Sequence, residues 1–152
     1  MRVVYLGMTA DIMHVGHANI ITFANRLVKE GKADLLVVGL LTCEAVASYK
    51  RKPIVPYEKR KALLLALKGV DKVVPQETLN YEPNLRRYRP AFCVHGSDWS
   101  HPDSPQFATQ NRVVEVLAEW GGQLVEPEYT EGISTTSVID EIASRAQKGS
   151  GM

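Results

Sequence analysis

VVYLGMTADIMHVGHANIITFANRLVKEGKADLLVVGLL, residues 3–41, changes its hydrophobic period twice. VVYL at 3–6 is a short apolar run rich in β-branched residues, as expected of a buried strand. Beyond it Ile20, Ile21, Ala24, Leu27 and Val28 recur at the spacing that lines one face of a helix. DLLVVGLL at 34–41 then returns to a continuous apolar run. Strand, helix and strand in succession predict a crossover unit whose two strands lie parallel.

The same alternation continues to the end of the chain. TCEAVASY reads as helical, and PYEKRKALLLALKG as a helix that opens at a proline and stops at Gly69. VDKVVP (70–75), AFCVHG (91–96) and QLVEP supply three more strands. Between the last two, Val113, Val116, Leu117 and Trp120 keep helical spacing up to the glycines at 121 and 122, and STTSVIDEIASR forms a closing helix. The expected architecture is α/β: a Rossmann-like open, mostly parallel five-stranded sheet with helices on both faces. No repeat or internal linker interrupts it. One domain over 1–146 is expected, with QKGSGM (147–152) as a flexible tail.

A chain of 152 residues suits a single core. Its 18 basic and 17 acidic side chains nearly cancel, so net charge directs it to neither nucleic acid nor membrane. No apolar stretch reaches the length of a membrane span, and MRVVYLGMTAD lacks the pattern of a signal peptide, so a cytoplasmic protein is expected. Cys43 and Cys93 form no CxxC pair and are read as reduced thiols.

Open parallel sheets bind ligands beyond the carboxyl ends of their strands. Three loops there are unusual: GMTADIMHVGH (7–17), VHGSDW (94–99) and YTEGISTT (129–136). Gly16 sits where a helix begins, and Ser134, Thr135 and Thr136 place hydroxyls and amides at the start of another. Two helix N-termini facing one crevice suit a polyphosphate. Neither GxxxxGK[ST] nor GxGxxG is present, so the usual nucleotide motifs do not explain the pattern.

His14 and His17 stand three residues apart, within reach of one ligand group. They read either as cap and surface decoration or as hydrogen-bond donors to phosphate. A metal pair is disfavoured, because only Val15 and Gly16 lie between them and no glutamate base accompanies them. The strip YKRKPIVPYEKRK (49–61) reads as a solvated charge run from which one or two cations reach a triphosphate. Asp98 reads as a ribose or base contact or as an Asx turn over Trp99, and Arg86, Arg87 and Arg89 as surface charge.

With HVGH, HGSDW and EGISTT in this order, joined by the basic strip and VDKVV, the chain resembles the HxGH nucleotidyltransferases, and among them the cytidylyltransferases. The stretches LLTCEAVASYKRKP, GVDKVVPQETLNY and LAEWGGQLVEP are particularly similar to the small cytidylyltransferases of phosphonate biosynthesis found fused to or beside phosphoenolpyruvate mutase. The resemblance implies transfer of CMP from CTP to a small phosphonate with release of pyrophosphate, Mg²⁺ as cofactor, and a homodimer. It implies that His14, His17 and Lys50 are catalytic. Around the nucleotide it implies Gly7, Met8, Thr9, Asp11, Gly16, Lys68, Gly96, Asp98, Gly132, Ile133, Ser134, Thr135 and Thr136, and toward the acceptor Ala10, Arg89 and Tyr129. Two positions depart from the pattern. Ser97 stands where many relatives carry an acid, and Tyr129 where the glycerol-3-phosphate branch carries arginine, a clamp that a phenol does not replace. The rival readings are a phosphate-ester cytidylyltransferase, an adenylyltransferase and a nucleotide-binding module without turnover.

Overall fold

The computed structural model describes residues 1–96, 107–127 and 135–150. Five strands, β1 (Val3–Met8), β2 (Leu35–Leu41), β3 (Lys72–Gln76), β4 (Phe92–Val94) and β5 (Gln123–Val125), form one sheet in the order β3-β2-β1-β4-β5. Every pairing is parallel. β1 is central, pairing Val3 through Met8 with Leu35 through Leu40 on one side and Val4 through Leu6 with Phe92 through Val94 on the other.

Side chains alternate along β1 and separate two cores. Val4, Leu6 and Met8 face the layer made by α1 (Val15–Lys29) and α3 (Tyr57–Ala66), where Ile21, Ala24, Leu27 and Leu64 close over them. Tyr5 faces the opposite layer, made by α4 (Glu82–Tyr88) and α5 (Phe107–Ala118), with Leu85, Val113, Val116 and Leu117. Each of these side chains is nearly inaccessible, and burying one stabilises the fold by roughly 1.5–3 kcal/mol relative to exposure. The buried Tyr5 hydroxyl donates to Gln76 Oε1 at 2.6 Å and accepts from Asn84 Nδ2 at 3.0 Å, which satisfies this polar group within the core.

Two further helices are α2 (Cys43–Ala47), capped by the Thr42 hydroxyl, and α6 (Thr135–Ser150). The expected architecture is therefore present, with two differences in detail. The segment expected to fray from 147 is helical as far as Ser150. α4 has no counterpart in the sequence reading, because a helix of about two turns buried chiefly through Leu85 has too little periodic signal. Cys43 and Cys93 are both free thiols, and burial pushes the Cys93 thiol up to about 12. None of the described helices is long and apolar enough to cross a membrane.

Candidate active site

The strand order fixes where a ligand belongs. The chain runs outward through β1, β2 and β3, then returns to place β4 on the other side of β1. The loops leaving β1 and β4 thus diverge, and the crevice between them is the switch point of the sheet. The loop after β1 carries His14 and His17, and the chain after β4 continues through His95 and Gly96.

His14 is the N-cap of α1. Its Nδ1 accepts the Gly16 amide at 3.0 Å, while its own amide donates to His17 Nδ1 at 3.1 Å. This reciprocal pair is a capping box built from two imidazoles instead of a hydroxyl and a carboxylate. Because each Nδ1 accepts, each neutral ring carries its proton on Nε2. The rings lie 4.1 Å apart between centroids. Burial lowers the His14 pKa, and burial, followed by the charges of His14 and Lys50, lowers that of His17 to about 4. Near neutral pH both rings are uncharged Nε2–H donors. The cap reading and the phosphate-donor reading of the motif thus describe different nitrogens of the same rings.

Lys50 is brought close enough for its charge to act on His17, and its ammonium lies 5.2 Å from the centre of the Tyr49 ring. Tyr49 in turn reaches Thr9, hydroxyl to hydroxyl, at 3.3 Å. The basic strip is therefore folded back over the loop that follows β1. Two polar anchors hold it there. Asp11 is buried and its two carboxylate oxygens accept the amides of Ile54 and Val55 at 3.1 and 2.9 Å. Arg60 is 1 % exposed and donates to the carbonyls of Val55, Thr9 and Leu41, each at 2.8 Å.

Several expected contacts are differently placed. Gly7 lies within β1, where an added Cβ would come within 2.5 Å of the Tyr81 hydroxyl, so its missing side chain makes room for a core tyrosine. Met8 and Ala10 are buried in the α1-side core, and Ala10 holds φ of 51°, a left-handed backbone that turns the chain sharply toward His14. The Ala10 methyl is buried, and the Asp11 carboxylate is occupied as an anchor. Lys68 and Arg89 lie in connections from a helix to the next strand, at the amino end of the sheet and away from the histidines. Arg89 instead stacks 4.8 Å over Trp120.

Thr136 lies in the first turn of α6 and its hydroxyl accepts from Arg51 Nη1 at 3.0 Å; Thr135 is the first residue of that helix. Gly96 accepts from His95, carbonyl to Nδ1, at 2.8 Å. Asp98, Tyr129, Gly132, Ile133 and Ser134 lie outside the described residues. Arg60 and Arg51 were not singled out from the sequence. For Arg60 a signal exists, since it shares a helical face with the core residue Leu64 four positions on. Arg51 has none inside a run of cations.

No group of three or more His, Cys, Asp or Glu side chains that would hold a metal occurs among the described residues. The described crevice offers cationic and neutral donors, a set suited to the phosphate oxygens of a nucleotide.

Residues 5–141 match the family described as Cytidylyltransferase-like. The chain belongs to this family of nucleotidyltransferases. The bifunctional protein HldE of Alcanivorax borkumensis is 31 % identical over 95 % of this chain, and the ethanolamine-phosphate cytidylyltransferase of Mus musculus is 30 % identical over 85 %. The chain spans 28 % and 30 % of the lengths of these relatives. Among solved structures, a lipopolysaccharide core biosynthesis protein from Thermoplasma volcanium superposes with a TM-score of 0.66 at 19 % identity, covering 86 % of this chain and 97 % of its own. That likeness is one of fold, and agrees with the Rossmann-like parallel sheet.

Proposed function

We propose that this cytidylyltransferase-like chain transfers CMP from CTP to a small phosphonate, such as phosphonoformate or 2-hydroxyethylphosphonate, and releases pyrophosphate. The observation that carries the transfer chemistry is the histidine pair: two neutral rings with both Nδ1 atoms engaged, presenting Nε2–H donors beside Lys50 at the switch point of the sheet. The phosphonate acceptor is supported by the similarity of the strip around Lys50 and of the segments after β3 and α5 to the cytidylyltransferases of phosphonate biosynthesis.

In this reaction an acceptor oxygen attacks the α-phosphorus of CTP, a new P–O bond forms, and the bond to the β-phosphate oxygen breaks as pyrophosphate leaves with its electron pair. The attacking oxygen is already largely anionic near neutral pH, since the second ionisation of a phosphate monoester lies at about 6, a phosphonate's lies somewhat higher, and the first is complete for both. No protein nucleophile is required. His14 and His17 donate to phosphate oxygens on which charge accumulates, and Lys50 offsets the charge of the polyphosphate. Bound together with CTP, Mg²⁺ would offset polyphosphate charge alongside Lys50.

One observation favours a second acceptor class. A relative at 30 % identity is named for ethanolamine phosphate, a phosphate ester. Pyrophosphate release from Mg²⁺ and CTP, measured against phosphonoformate, 2-hydroxyethylphosphonate, 2-aminoethylphosphonate, ethanolamine phosphate and glycerol-3-phosphate, separates the readings. Turnover with a phosphonate is expected. Turnover with an ester alone would keep the transfer and replace the acceptor, and turnover with ATP in place of CTP would overturn the cytidylyl assignment.

A further inference from the structure

Glu126 is the first residue beyond β5, at the carboxyl end of the sheet. Val94 pairs with Val125, and the His95 amide donates to the Val125 carbonyl at 3.1 Å, so Glu126 lies beside the chain that leaves β4 at the switch point. Alternation along the strand fixes its direction. Val125 packs against the α1-side core, and Glu126 turns the other way, toward α5, where Gln110 Nε2 in the first turn donates to its Oε1 at 2.7 Å.

The second carboxylate oxygen is unaccounted for. Glu126 Oε2 is shut off from solvent and has no hydrogen-bond partner among the described residues. The other acids with a clear role are fully supplied: Asp11 takes one amide on each oxygen, and Glu82 takes the guanidinium groups of Arg86 and Arg112 on its two. A desolvated carboxylate oxygen without a donor is costly to keep, so a donor from outside the chain relieves it. The surroundings agree. On the same face the rings of His95 and Tyr81 meet edge-on at 6.2 Å, and the Tyr81 hydroxyl fills the space beside Gly7. Tyr81, His95 and Glu126 thus form a row across β1, β4 and β5, on the face opposite the α1 cap. The cap and Lys50 offer donors; Glu126 adds the acceptor they lack.

We propose that Glu126 Oε2 is the receptor for an amino group of a molecule bound in the crevice, with Gln110 holding the carboxylate in register. An amino group suits a carboxylate in the way that Glu and Asp accept from the N4 amine of cytosine. This assignment rests on the nucleotidyltransferase reading of the crevice. The cytosine of CTP and an aminoalkyl acceptor both present such a group, so the experiment distinguishes them.

Binding of CTP, UTP, 2-aminoethylphosphonate and 2-hydroxyethylphosphonate is measured by calorimetry with Mg²⁺ on the wild-type chain, Glu126→Gln and Glu126→Asp, with thermal unfolding run alongside. UTP carries a carbonyl oxygen where CTP carries its amine, and the second phosphonate carries a hydroxyl. The wild type is expected to bind one amine-bearing probe roughly tenfold or more tightly than its counterpart. In Glu126→Gln the carbonyl oxygen still accepts from Gln110 while an amide NH₂ replaces Oε2, so the fold is expected to hold and the preference to vanish. Glu126→Asp keeps the charge but draws the oxygen back, and is expected to weaken the preference. Loss of the choice between CTP and UTP assigns the receptor to the base, and loss of the choice between the phosphonates assigns it to the acceptor. Wild-type preference in both variants, equal weakening of both members of each pair, or a wild type without either preference would overturn the receptor and leave Glu126 as a clip between β5 and α5. A preference that depends on Glu126 without turnover of any acceptor would instead sink the transfer reaction and leave the receptor standing.

Discussion

Two regions of this chain are rich in charge and handle it in opposite ways. On the α4–α5 flank the guanidinium groups of Arg86 and Arg112 meet the carboxylates of Glu82, Glu115 and Glu119 in exposed ion pairs at 2.7–3.2 Å. At the carboxyl end of the sheet Lys50, Arg51 and Arg60 have no ion pair with a carboxylate among the described residues. The one buried acid there, Asp11, turns both oxygens to backbone amides. Exposed pairs of the first kind change stability little. Positive charge at a crevice without a carboxylate partner has a different consequence: it suits an anion, and the polyphosphate of the proposed nucleotide would be one.

The largest break in this contrast is Arg60→Met. It removes a buried cation that satisfies three carbonyls at once, and each buried acceptor left alone costs about 1–3 kcal/mol. A lowered urea midpoint and loss of nucleotide binding are expected together. A variant as stable as the wild type would show that the strip is not anchored through this residue.

His17→Ala comes next. Removing one donor from the reacting phosphate should lower kcat by roughly 10² or more, by comparison with the loss of a single oxyanion donor. Turnover within a few-fold of wild type in a pyrophosphate-release assay would take the ring out of the reaction. The same variant sharpens the pH behaviour. His17 titrates at about 4 in the fold and near 6.5 when unfolded, so the unfolded chain takes up a proton that the folded chain refuses. Stability from this group is intact above 6.5 and drains away as pH falls toward 4, and urea midpoints of His17→Ala should therefore fall less between pH 7 and pH 4.5 than those of the wild type. Parallel decreases would remove His17 as the source.

The smallest effects come from cutting one charge in each region. Lys50→Ala should weaken CTP binding about tenfold, the equivalent of roughly 1.4 kcal/mol, without unfolding the chain. Arg112→Ala should leave CTP affinity untouched and shift the unfolding midpoint only slightly, since its partners are exposed. Equal losses of CTP affinity in the two variants would erase the distinction between the regions.

The sheet was legible in the sequence because its strands are continuous apolar runs and its helices carry one apolar face, so periodicity alone separates them. The histidines were legible by position, but which of their nitrogens remained available was not, because that depends on the cap they form with each other. Asp11 illustrates the limit: an acid in a loop after a strand reads equally as a ligand contact or as an anchor, and only its partners decide. Lys68 and Arg89 are a different case. Each lies between a helix and the strand that follows, and in a parallel sheet such connections fall at the amino edge, a placement the alternation itself already carried. Arg51 could not be told from its neighbours, since a run of cations records charge but not which member reaches Thr136.

The most direct test is a long-range ¹H–¹⁵N spectrum of the histidine side chains at pH 7, recorded with and without saturating CTP and Mg²⁺. The account predicts His14 and His17 as neutral rings protonated on Nε2, both shifting when CTP is added. Either ring protonated on Nδ1 or fully charged, or both unmoved by the nucleotide, would contradict it.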